Sequence, residues 1–139
     1  MTRLFTQQFA ATCLLVILSL VVGFHALVLV GVVPFKIVWG GRLQTRQQML
    51  VFETVSIFIN AVMIATVAAK INLLKWRVRP VFIKVMLWVM TGLFAANTVG
   101  NLFSTNGFER AVFTPLTGLL ALLCLRLVWN EASSQFEQG

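Results

Sequence analysis

Apolar residues in this chain fall in long unbroken runs, not in the alternating or three-and-four spacing of half-buried elements. The first runs from about residue 9 to 33, holds no charge apart from a proton that His25 can carry, and is closed by Pro34. At about 1.5 Å per residue, such a run crosses a hydrocarbon layer of about 30 Å with some tilt. A secretory leader has an apolar core of only about 7 to 15 residues, so this run is expected to persist as a helix of the mature chain. Three more runs follow at about 49–69, 81–102 and 111–129. The pattern predicts an all-α polytopic membrane protein, a four-transmembrane-helix bundle forming a single integral membrane domain over residues 1–139.

The polar segments between the runs are short. Residues 34–48, PFKIVWGGRLQTRQQ, mix apolar, basic and glycine residues and read as an interfacial loop turning at Gly40-Gly41. Thr45 and Gln48 have the spacing of a capping box that starts the second helix. Residues 70–80, KINLLKWRVRP, carry four basic residues and no acidic one, and Pro80 disfavours helix at the residue before it. Asn106 and Glu109 in the last turn again have a capping spacing, which predicts a structural role for Glu109. Pro115 is expected to kink the fourth helix, and the tail 130–139 to fray. The two halves show no repeat, which argues against an inverted-repeat transporter.

Composition supports the membrane reading: 59% hydrophobic residues and 11% charged lie far from a soluble domain. Eleven Lys and Arg against four Asp and Glu give +7, which in a soluble protein would suggest nucleic acid. In a membrane chain it reflects loops beside an anionic leaflet, so no nucleic-acid partner is expected. Placing Lys70 to Pro80 in the cytoplasm puts both termini there too. Seven basic residues (Arg3, Lys70, Lys75, Arg77, Arg79, Lys84 and Arg126) then lie inside, and four (Lys36, Arg42, Arg46 and Arg110) outside. The three in the first outer loop run against the rule and suggest another reason for their charge. Trp76, Lys84 and Trp129 are placed to anchor the inner boundary. Cys13 and Cys124 lie in apolar runs as small hydrophobes, and with one histidine no metal set or cofactor fingerprint can be assembled.

A charge at the centre of a span costs roughly 2.5 to 3.5 kcal/mol on the insertion scale, so polar groups there are candidates for function. From the helix rise, His25 lies about 12 Å below the outer end of the first run. Glu53 and Asn60 lie about 6 and 16 Å into the second, and Asn97 and Asn101 within about 8 Å of the outer end of the third. Glu53, Ser56 and Asn60 share one helix face, as do Asn97 and Asn101. Small residues recur every fourth position at Ala61, Ala65 and Ala69 and at Gly92, Ala96 and Gly100, faces that allow close helix approach. The expectation is that Glu53, Asn60, Asn97 and Asn101 face one another inside the bundle. His25 would reach in from the first helix, and Trp39, Arg42 and Lys36 would close the loop above, with Arg42 able to pair with Glu53 or an anionic headgroup. The same residues also fit structural roles: a carboxylate near a helix start, a loop resting on headgroups, or amides joining helices at about 0.6 kcal/mol each.

The stretches KIVWGGRL at 36–43, FETVSIFIN at 52–60 and NTVGNLF at 97–103 resemble a group of small, uncharacterised four-span bacterial membrane proteins. That resemblance implies four spans and a bacterial inner membrane, and brings no activity, ligand or catalytic residue. Three functions fit. One is an outward-facing polar pocket that binds or moves a small amphipathic ligand or lipid headgroup through Glu53, Arg42, His25, Asn60, Asn97, Asn101, Trp39 and Lys36. The second is a structural or accessory subunit that packs against another membrane protein or a second copy. An intramembrane enzyme using Glu53 and His25 as acid and base ranks last, because no nucleophile motif accompanies them.

Overall fold

A computed structural model of the chain describes residues 6–136, with side chains over 6–129. It is all-helical: α1 (Gln7–Leu29), α2 (Arg46–Lys70), α3 (Pro80–Leu102) and α4 (Gly107–Phe136). Each has a segment long and apolar enough to cross a membrane, the one in α4 being Gly107–Trp129, which suggests a multi-pass membrane protein.

The helix ends follow from local chemistry. Thr6 caps α1 by accepting from the Phe9 N–H at 3.2 Å. The expected capping box opens α2: Thr45 Oγ1 accepts from the Gln48 N–H at 3.2 Å, and Gln48 Oε1 accepts from the Thr45 N–H at 3.3 Å. Pro80 stands at the first turn of α3, where its missing N–H costs nothing. The first helix stops at Leu29, short of residue 33, because Gly31 takes φ +86° and the Val32 N–H turns back to the Leu27 carbonyl. Hydrophobicity carries no trace of such a cap, so the apolar run overstated the helix. The fourth helix runs through the exposed Pro115 and on to Phe136, past the expected fraying point.

Packing proceeds by hairpins. The most extensive contacts join α3 to α4 and α1 to α2; α1 against α4 unites the two hairpins, and α2 meets α3 only lightly. The main core lies toward the chain-terminal end of the bundle, where Leu14 and Leu18 of α1, Val67 of α2, Leu87 and Met90 of α3, and Leu120 and Leu127 of α4 are fully buried. Cys124 is buried there and Cys13 half-buried, both as free thiols. A second cluster, Val28, Val38, Leu43 and Met49, seals the other end beneath the 34–45 connection, which folds back onto the helices as two single turns of 3-10 helix.

This arrangement corrects the expected interior. Gly92, Ala96 and Gly100 all lie exposed on α3, and Ala61 is exposed on α2 with Ala65 and Ala69 half-buried, so the small-residue faces do not line a shared α2–α3 contact. A methyl group added at Gly92 or Gly100 meets nothing within 4 Å. Gly92→Ala and Gly100→Ala should therefore leave unfolding in detergent unchanged or stabilise it by up to about 1 kcal/mol through helix propensity. Leu87→Ala, in the core, should cost about 2 to 5 kcal/mol in the same denaturation series.

Candidate functional site

Glu53 sits in the second turn of α2 and is completely buried. Both of its oxygens are engaged: Oε2 lies 2.6 Å from His25 Nδ1 on α1, and Oε1 accepts from Trp39 Nε1–H at 2.8 Å. A buried carboxylate is tolerated only when its lone pairs are met by donors, and these two side chains meet them. His25 is 15% exposed. With Nδ1 turned to Glu53, its Nε2 has no hydrogen-bond partner among the described residues and keeps contact with the surface.

Trp39 is the hinge of the connection. Its φ is +55°, a left-handed conformation that a bulky residue adopts only under constraint, and Gly40 and Gly41 continue it at +67° and +72°. Glycine carries no penalty there, whereas the strain at Trp39 is held by its bond to Glu53. The ring packs edge-on to Phe52 at 5.4 Å and lies 6.3 Å from the His25 ring.

A second buried carboxylate holds the neighbouring residue. Glu109 of α4, 6% exposed, accepts from the Gly40 N–H at 2.8 Å through Oε1 and from Ser104 Oγ–H at 2.8 Å through Oε2. Asn106 Nδ2 donates to the Ile37 carbonyl at 3.0 Å, so the turn between α3 and α4 grips the connection at two points. The expected capping box does not form: the Asn106 N–H goes to Ser104 Oγ, and Asn106 Oδ1 caps Phe108. That frees Glu109 for Gly40. Its signal in the sequence was the same as that of Glu53, a carboxylate beside an apolar run, but the capping spacing concealed it.

The expected site residues separate into three groups. Glu53, His25 and Trp39 come together. Arg42 and Lys36 are exposed, and Arg42 forms no ion pair with Glu53, which pairs with His25 instead. Trp39 takes that place as donor to Glu53, and Arg42 instead borders a cleft of about 320 Å³ with Trp39, Leu43, Gln48 and Phe52. The amides do not converge: Asn60 donates to the Ser56 carbonyl of its own helix, Asn101 faces Thr117 of α4 at 3.5 Å, and Asn97 is exposed on α3. Their depth was readable from residue count. Their direction was not, because α2 packs on α1 and α3 on α4.

The cleft is therefore lined by a cation, an indole and a phenyl ring, while the carboxylate that holds the indole is completely buried and closed to direct ligand contact. No hydroxyl or thiol is hydrogen-bonded to His25 among the described residues, and no group of three metal-ligating side chains occurs among them. No protein-family model matches the chain, and no curated protein or solved structure is similar to it. Glu53→Leu should leave the part-buried His25 and Trp39 donors without their acceptor and lower stability by about 1 to 3 kcal/mol in detergent unfolding. Glu109→Leu, which releases the backbone of Gly40, should cost about 1 to 3 kcal/mol.

Proposed function

We propose that this chain spans a bacterial inner membrane four times with both termini in the cytoplasm, and binds a small anionic amphiphile, a lipid headgroup being the simplest, in the outward-facing cleft beside Trp39. The observation that carries this reading is the cleft itself. Arg42 stands at its edge with no carboxylate partner among the described residues, and a planar guanidinium suits bidentate pairing with phosphate or carboxylate. Trp39 supplies an amphipathic wall suited to the headgroup layer. From Phe52 an exposed apolar track continues through Val55 and Ile59 on the same face of α2, where an acyl tail can lie.

The charge pattern fits this placement. Seven basic residues fall on the cytoplasmic side and four outside, and a ligand-binding role accounts for part of the positive charge that Lys36, Arg42 and Arg46 hold against the topology rule. The likeness of KIVWGGRL and the downstream FE stretch to small four-span bacterial proteins supports the choice of membrane. Glu53 and His25 serve the ligand indirectly, by fixing the indole. A second reading, an accessory subunit, is favoured by one observation: α3 exposes Gly92, Ala96 and Gly100 together with Asn97, a surface on which another helix could pack closely.

Native mass spectrometry of protein extracted gently from its membrane tests the ligand reading. Wild type should retain an anionic amphiphile, and Arg42→Ala should lose it by about tenfold or more while unfolding at the same temperature, since Arg42 makes no structural ion pair. Equal retention by both chains, or a co-purifying polypeptide in place of a small molecule, would set the cleft aside.

A further inference from the structure

Gln48 also lines the Trp39 cleft, and one end of its amide is already committed. Its Oε1 accepts from the Gln44 N–H at 2.9 Å and from the Thr45 N–H at 3.3 Å, the second being the return bond of the capping box that opens α2. Two backbone donors on one atom fix the orientation of the amide, since only its oxygen can accept. Both lone pairs of that oxygen are then spent. What Gln48 has left is the Nε2 amide nitrogen, whose hydrogens donate to nothing among the described residues. The residue is exposed, so burial does not withhold those hydrogens from a ligand.

The other polar groups at the cleft are of the same kind. Arg42 can only donate, Trp39 Nε1–H is spent on Glu53, and Leu43 and Phe52 are apolar. The side chains lining the cleft thus offer donors and no free acceptor. We infer that Gln48 reads the headgroup together with Arg42, and that the pair selects an oxyanion with no donor hydrogen of its own, a phosphodiester or a carboxylate, over a neutral hydroxyl headgroup. This assignment rests on the ligand-binding role of the cleft proposed above and adds the class of group bound. A phosphodiester or an ionised carboxylate presents only acceptors, and each N–H that meets it forms a charge-assisted bond. A hydroxyl accepts more weakly and leaves its own hydrogen unmet by any of these side chains. The capping box therefore does more than start α2: it holds the amide in the one orientation that leaves its N–H groups for the ligand.

The test is native mass spectrometry of the full chain, delipidated in detergent and titrated separately with phosphatidylglycerol, oleate and diacylglycerol. Wild type should bind phosphatidylglycerol, oleate or both in preference to diacylglycerol, and the tighter of the two names the oxyanion. Gln48→Glu keeps an oxygen for both backbone donors, so the unfolding temperature should not fall, but it replaces the amide donors by a negative charge and should weaken the preferred anion about tenfold or more. Gln47→Glu makes the same change of charge one residue away, outside the cleft lining, and should weaken it less than about threefold. Gln48→Met removes the donors without adding charge and should weaken it about fivefold or more. Wild-type affinity in Gln48→Met would overturn Gln48 as a ligand contact, and equal losses from Gln47→Glu and Gln48→Glu would reduce its effect to diffuse charge. Equal binding of diacylglycerol would overturn the selection of an oxyanion. Loss of the anion from Arg42→Ala but not from the Gln48 variants would overturn the role of Gln48 and leave the Arg42 cleft standing, whereas retention by Arg42→Ala would set the cleft itself aside.

Discussion

A carboxylate with no access to water must be met on every side by donors, and the end of this bundle that carries the 34–45 connection is organised around one that is. Glu53 draws His25 from α1 and Trp39 from the connection onto α2, joining three segments through two short contacts. Removing either donor would leave a buried oxygen unpaired at a cost of about 1 to 3 kcal/mol, comparable to a large share of the margin by which small domains stay folded. That cost explains how a tryptophan is held at φ +55°. The strain is local and the compensation is the bond from its own indole.

Glu109 extends the same logic to the next residue. Successive positions, 39 and 40, are bound by carboxylates from different helices, one through a side chain and the other through the backbone. The W-G-G sequence is what permits this: the glycines continue the left-handed path that returns the chain, and the path brings Val38 and Leu43 down onto Val28 and Met49. The connection is thus a packed lid with its indole fixed in place. Arg42, just beyond the turn, is left outside the polar network and borders the cleft. Structure and proposed function meet at Trp39, whose one edge answers Glu53 while the ring forms a wall of the cleft.

Much of this was legible in the residues. Four apolar runs gave the helices, the Thr45 and Gln48 spacing gave the start of α2, and the cost of an intramembrane charge singled out Glu53 with His25 reaching toward it, whereas the expected partner from the connection was Arg42 and the structure supplies Trp39 instead. What failed was direction. Asn97 and Asn101 lie four residues apart, yet one is exposed and the other turns to Thr117, because helix azimuth is set by which helices pair and a single sequence does not encode that visibly. The Gly92, Ala96 and Gly100 stripe went outward for the same reason. Glu109 is structural, as its spacing suggested, but not as a cap: the capping positions are satisfied by Ser104 and Asn106 instead, leaving the carboxylate to a partner 69 residues away in the chain. Long-range partners of this kind have no local signature.

Glu53 and Trp39 act as a pair and not as two independently placed groups. A double-mutant cycle on Glu53→Leu and Trp39→Phe, read by unfolding in detergent, isolates that coupling. The two changes should be non-additive by about 1 to 3 kcal/mol, since each removes the same hydrogen bond. Additivity within about 0.5 kcal/mol would mean that the indole is held by packing against Phe52 alone, and the buried carboxylate would lose its role in forming the cleft.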